Sequence, residues 1–126
     1  MSGRNKAARV FVVLGCVVLF VSAALHIFGG YSQVFSMVAA SNLSPVLKDA
    51  FRVVFLSLGW HWMLTAVLAL LAGLSDTKLR KAVVLICGLA VLVEAGAGAR
   101  MMGFFVGNEM IGAAAILLVC GGLLYD

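Results

Sequence analysis

Four long apolar runs, separated by short polar or glycine-containing connections, constrain the fold of this chain more than any other feature. They cover residues 10–28, 53–74, 82–99 and 104–125. At a rise of about 1.5 Å per residue, runs of this length match a hydrocarbon core about 30 Å thick. The sequence therefore predicts an all-α integral membrane protein. Its four transmembrane helices would form an antiparallel bundle, as a single domain over residues 1–126.

The composition argues against a water-soluble domain and against nucleic-acid binding. Hydrophobic residues make up 64% of the chain, only 11% of residues are charged, and the mean hydropathy is +1.17. Soluble domains are about 25% charged. The net charge of +4 arises from basic residues at predicted helix ends rather than along one face. Charge placed in this way sets membrane topology, and we expect no nucleic-acid partner.

The distribution of basic residues predicts the orientation of the chain. Four spans bring both termini to the same side of a membrane. The amino-terminal segment and the second connection hold six of the nine Lys and Arg residues: Arg4, Lys6, Arg9, Lys78, Arg80 and Lys81. Because such residues concentrate on the cytoplasmic side, we expect a multi-pass protein with both termini in the cytoplasm. A basic segment before an apolar run is also typical of a signal peptide, but we interpret it as a retained first membrane helix.

The segment between the first two spans predicts a short extra helix. Gly29 and Gly30 are expected to end the first transmembrane helix near residue 28. Beyond them, apolar residues recur at helical spacing: Tyr31, Val34, Phe35 and Val38. This pattern favours a short amphipathic helix at the membrane interface, in the first outer loop. Ser44 and Pro45 have the residue types of an N-cap and a first helical position, so the next helix should begin there.

The candidate site consists of the ionisable residues of the predicted outer half of the bundle and two neighbouring tryptophans. These residues are His61, His26, Glu94, Arg52, Arg100, Glu109, Trp60 and Trp62. Helical rise places His26 roughly 3 Å, Glu94 about 7 Å and His61 about 13 Å below the outer helix ends. Charged groups at such depth are costly unless they find partners. The deepest residue, His61, is therefore the strongest candidate, and Glu94 should have a basic or hydrogen-bonding partner, with Arg52, Arg100 or a histidine as candidates.

Two interpretations of these residues remain open from the sequence. In the first, the arginines and glutamates form interhelical ion pairs that hold the helices in register, a role that adds little net stability. In the second, they surround a water-accessible pocket that opens to the outside, with His61 at its floor and aromatic side chains as its walls.

Three functional hypotheses follow. The preferred one is a protein that binds or transports a small amphipathic or anionic molecule, such as a lipid, from the outer side. The alternative is a non-catalytic accessory subunit of a larger membrane complex or a homo-oligomer. Its helices would pack through small residues, which include the GxxxG pair Gly103 and Gly107 and the run from residue 94 to residue 99. The third is a membrane enzyme that uses His61 and Glu94 as acid and base.

No cofactor is indicated by a motif. Two histidines on neighbouring helices raise haem ligation as a hypothesis, but helical rise separates them by roughly 10 Å in depth. Cys16, Cys87 and Cys120 have no CxxC spacing, and we expect them to be small buried apolar residues. The sequence contains no Walker loop, HExxH motif or dinucleotide-binding fingerprint, which argues against ordinary nucleotide and hydrolase chemistry.

The size and the four-span plan resemble those of several small membrane families. These are the small multidrug transporters, the fluoride channels, the eicosanoid and glutathione group, and the DoxX-like proteins. The multidrug transporters carry an essential glutamate in their first helix, where this chain has none. The Glu-Arg-x-x-Arg run of the glutathione group is also absent. The resemblance is one of architecture, and it implies no role for any residue of this chain.

Overall fold

A computed structural model describes residues 2–126, and every regular element within that range is helical. Helix α1 covers Gly3–Ala24 and is followed by a π-helical turn, Leu25–Gly29. The remaining helices are α2 (Gly30–Ala40), α3 (Pro45–Leu74), α4 (Arg80–Met102) and α5 (Val106–Leu124). Four helical segments are long and apolar enough to span a membrane: Gly3–Ala40, Pro45–Leu74, Arg80–Met102 and Val106–Leu124. This confirms the predicted number of candidate spans.

The first candidate span differs from its prediction at both ends. It begins at Gly3 rather than near residue 10. It also continues through Gly29 and Gly30 to Ala40, as one stretch of 38 residues. The two glycines therefore do not end the helix. A Cβ added at Gly30 would lie 2.6 Å from the far end of the Phe55 ring, so this ring fills the space beside the glycine.

The predicted short helix exists, but it is not a separate element within a loop. Helix α2 follows the π-helical turn directly, and its Val38 is buried while Val34 and Phe35 are half-buried. The expected start of α3 is confirmed. Ser44 is the N-cap, its hydroxyl accepts a hydrogen bond from the Leu47 amide, and Pro45 is the first helical residue.

The four long helices form a ring in the order α1, α3, α4, α5. Helix α5 packs most extensively, against both α1 and α4, and α3 packs against α1 and α4. The core is apolar, and its largest fully buried side chains include Leu19, Val84, Leu118 and Tyr125. Large apolar side chains also cover much of the exterior, as expected for helices that contact lipid.

Glycines lie where the helices approach one another most closely. Added Cβ atoms would lie 3.1 Å from the Ala114 carbonyl oxygen at Gly15, and 2.9 Å from the Val119 amide nitrogen at Gly88. Helix α5 is therefore tightly packed against both α1 and α4. The predicted GxxxG pair is wrong, because Gly103 lies in the connection after α4, where its φ of +77° requires a glycine.

Polar contacts gather both termini and the connection between α3 and α4 at one end of the bundle. Arg9 binds Asp76 at 2.8 Å, and Arg4 lies 3.6 Å from the carboxylate of Asp126. The buried Tyr125 hydroxyl donates to the Gly73 carbonyl at 2.6 Å. The residues of the candidate site lie away from this end.

Candidate functional site

The centre of the candidate site is the carboxylate of Glu94 on α4. It accepts a hydrogen bond from the indole nitrogen of Trp62, with an Nε1–Oε2 distance of 2.7 Å. Its other oxygen, Oε1, lies 2.9 Å from Nε2 of His61. Both partners come from α3, which packs against α4. The expectation of a basic or hydrogen-bonding partner for Glu94 is confirmed, with His61 and Trp62 rather than an arginine in contact, and the same contact provides the expected partner of His61.

His61 and Trp62 are adjacent in sequence but face different environments. The side chain of Trp62 is buried, whereas that of His61 is 49% exposed. Successive residues of an α-helix point about 100° apart, so one faces the interior of the bundle and the other its flank. Glu94 lies between them and is itself 31% exposed. The carboxylate thus connects the interior of the bundle with its exterior.

His26 completes the aromatic part of the site from the π-helical turn of the first span. Its Nε2 lies 2.9 Å from the Phe55 carbonyl oxygen. A carbonyl only accepts hydrogen bonds, so Nε2 must carry the proton. The imidazole stacks on the ring of Phe55, with centroids 3.9 Å apart, and meets the edge of Trp62 at 4.9 Å. Single π-helical turns within α-helices are frequent at functional sites.

The side chains of His26, Trp62 and Glu94 form part of the wall of a cavity of about 480 Å³ between α1, α3, α4 and α5. His61 does not line this cavity, so the prediction that it forms the floor of the pocket is wrong; it contacts Glu94 from the exposed flank of α3. The polar lining of the cavity comes from Ser22, His26, Trp62, Glu94 and Asn108, and the rest is apolar, including Met102, Phe105 and Met110. Pockets for small molecules are of this size, mostly apolar and with a few convergent polar groups. Among residues 2–126, no lysine or arginine lines the cavity.

Asn108 belongs to the site although the sequence analysis did not include it among the candidates. It is buried, and its side-chain amide donates to the Gly103 carbonyl at 3.1 Å. Gly98 provides the necessary space, because a Cβ there would lie 2.7 Å from Oδ1 of Asn108. The sequence signal that could have found it is an asparagine within a predicted membrane span.

Four predicted site residues lie elsewhere. Trp60 is 55% exposed and does not line the cavity. Arg52 binds Asp49 at 3.1 Å, one turn away on its own helix, and stands over the ring of Phe35. Arg100 and Glu109 line a separate groove of about 760 Å³ on the outer face of α4 and α5. The sequence indicates the depth of each residue along its helix, but not its direction around the helix.

The structure bears on two further hypotheses, haem ligation by the two histidines and a packing role for the three cysteines. Each histidine already uses Nε2 for a protein contact, so ligation of one haem by both through Nε2 would break both contacts. Residues 2–126 hold no cluster of three or more metal-ligating side chains. Cys16 and Cys87 are buried and Cys120 is half-buried, and all three are free thiols, in agreement with a packing role.

The sequence matches no protein-family model, and no curated protein or solved structure is significantly similar to it.

Proposed function

We propose that this chain is an integral membrane protein, an antiparallel four-helix bundle that binds or transports a small amphipathic molecule in the cavity around Glu94. The observation that carries the proposal is a carboxylate in the wall of a mostly apolar cavity, within helices that are long enough to span a membrane. An intramembrane carboxylate is expensive and is a pointer to function. The apolar lining suits the tail of the ligand, and Glu94 suits its head.

The charge of the lining favours a head group that donates hydrogen bonds, such as an ammonium group. Glu94 accepts one bond from Trp62 and faces His61, and a carboxylate has about four acceptor positions. It can therefore accept further hydrogen bonds from a ligand. An anionic head is disfavoured because Arg52 and Arg100 both lie outside the cavity lining. Of the amphipathic or anionic molecules expected from the sequence, we therefore favour amphipathic ligands whose head group donates hydrogen bonds.

Binding can be tested with three probes of equal chain length, namely octylammonium, octanol and octanoate. The chain has two tryptophans, so Trp60→Phe leaves Trp62, in the cavity wall, as the single fluorescent reporter. We expect octylammonium to change the emission of Trp62 in a saturable manner. Glu94→Gln should weaken this binding at least about tenfold, since a charge-assisted hydrogen bond contributes about 1.5–3 kcal/mol.

Glu109→Gln is the matched control, because Glu109 is also on a predicted span but does not line the cavity, and it should bind octylammonium like the parent. His61→Gln keeps a hydrogen-bonding group beside Glu94 but removes its basicity. Weaker binding in this variant would show that His61 must accept a proton, whereas unchanged binding would show that its hydrogen bonding to Glu94 is sufficient. Equal or tighter binding of octanoate would contradict the assigned head group. The absence of saturable binding by any probe would remove the cavity function. A stoichiometric larger partner in a native-membrane pull-down would then favour the accessory-subunit hypothesis.

We also propose that both termini are cytoplasmic, since six of the nine Lys and Arg residues lie at the end of the bundle that holds both termini. Cysteines introduced at Ser41 and at Thr77, in a background without Cys16, Cys87 and Cys120, test this topology. An impermeant thiol reagent applied to intact cells should label position 41 and leave position 77 unlabelled until the membrane is opened. The reverse pattern would place the polar cluster on the cytoplasmic side.

A further inference from the structure

The groove on the outer face of α4 and α5 carries two opposite charges that find no counter-ion within residues 2–126. Arg100 lies in the last turn of α4 and Glu109 in the first turn of α5. Both line the groove of about 760 Å³, yet neither forms an ion pair or a side-chain hydrogen bond with any described residue. Each helix dipole favours the charge at its own end, but this does not replace a counter-ion near a bilayer.

The groove also contains a glycine that the isolated chain does not need. A Cβ added at Gly96, in the interior of α4, would meet no atom within 4 Å. Glycine in a helix interior costs about 0.5–1 kcal/mol relative to alanine. At Gly88, one face away on the same helix, a packed neighbour explains the missing side chain. At Gly96 the open space is compatible with the close approach of another molecule.

We propose that this groove is the interface of a two-fold symmetric homodimer, in which Arg100 of each copy binds Glu109 of the other. The two residues lie on either side of the short connection at residues 103–105, so they are at the same end of the bundle. A two-fold axis along the bundle therefore brings each arginine to the depth of the partner's glutamate. A symmetric interface satisfies both charges of both copies at once. The groove is also lined by small residues, which let the helices of the two copies approach closely: Ala95, Ala99 and Ala113.

Charge exchange between copies provides a test that contacts within one chain cannot imitate. In a homodimer of the Arg100→Glu variant, a glutamate faces Glu109 of the other copy at both contacts. In a homodimer of the Glu109→Arg variant, an arginine faces Arg100 of the other copy at both contacts. When the two variants are mixed, each mixed dimer again has two opposite-charge pairs. Oligomeric state can be measured by single-molecule photobleaching of labelled full-length protein in liposomes over a range of dilutions. We expect the wild type to be dimeric and each variant to dissociate at least about tenfold more readily.

An equimolar mixture of the two variants should recover dimers that contain one copy of each. Gly96→Leu should also weaken the dimer while leaving the monomer folded, because its side chain enters open space. Ala90→Leu, at an exposed position of α4 outside the groove, is its matched control and should remain dimeric. Circular dichroism verifies that every variant is folded.

Three results would overturn the proposal. They are a wild type that stays monomeric at every dilution, with the groove left to lipid or another protein; a mixture that forms no mixed dimers; and a Gly96→Leu variant as dimeric as Ala90→Leu.

Discussion

Replacing Tyr125 with alanine is expected to destabilise the bundle by about 3–5 kcal/mol, the usual cost of removing a large buried aromatic ring. Tyr125 is completely buried although it is the penultimate residue. Its ring lies against the guanidinium of Arg80 at 4.7 Å, and its hydroxyl donates to the Gly73 carbonyl. Tyr125→Phe keeps the ring but leaves that carbonyl without the hydrogen bond, and we expect a smaller loss of about 1–3 kcal/mol.

The measurement is reversible unfolding in mixed micelles, followed by circular dichroism. Tyr31→Ala is the matched control, because Tyr31 is 53% exposed and its loss should cost less than about 1 kcal/mol. Burial raises the pKa of Tyr125, whereas Arg9 and Arg80 act in the opposite direction. A raised pKa favours the protonated phenol in the folded state. The stabilisation should therefore be complete below about pH 10, the ordinary value, and decline at higher pH. Equal effects at Tyr31 and Tyr125 would contradict this role.

Replacing Gly88 with leucine is expected to be similarly damaging, through overpacking rather than through loss of contacts. The new Cβ alone would lie 2.9 Å from the backbone amide of Val119 and 3.0 Å from the Leu118 side chain. Backbone cannot move aside as a side-chain end can, so α4 and α5 must separate. We expect a destabilisation of about 3 kcal/mol, and about 1–3 kcal/mol for Gly88→Ala.

Gly96→Ala provides the comparison on the same helix. No atom lies within 4 Å of the added methyl group in one chain, so the substitution should stabilise the monomer by about 0.5–1 kcal/mol. Unfolding at high dilution, where monomers predominate, measures both variants. A Gly88→Ala variant as stable as Gly96→Ala would show that the two helices are not tightly packed at that point.

The sequence predicted features that depend on length, polarity and local capping. Four candidate spans and the need of Glu94 for a polar partner follow from costs that any apolar environment imposes. The cap at Ser44 follows from local residue types. The continuation through Gly29 and Gly30 could not be predicted in this way. Whether glycines end a helix depends on what packs beside them, and here the ring of Phe55 occupies the space next to Gly30.

The direction in which each predicted site residue points was also beyond the sequence. In a soluble protein, alternation of polar and apolar faces reveals how a helix is rotated. These helices are apolar on nearly every face, so the sequence could not distinguish which of Trp60 and Trp62 faces the interior. Only packing shows that Trp62 reaches Glu94 while Trp60 is exposed. For the same reason, the sequence could not show that Arg100 and Glu109 line the groove rather than the cavity.

The uninterrupted helical segment from Gly3 to Ala40 has a mechanical consequence. Its 38 residues rise about 57 Å, nearly twice the thickness of a hydrocarbon core of about 30 Å. To fit across such a core, the segment would have to project beyond it, tilt, or bend at its π-helical turn. Lys48 fastens its far end to the next helix through the Ala39 carbonyl, at 2.7 Å. Because no loop separates α2 from His26, a displacement of α2 would be transmitted along continuous helix to the wall of the cavity.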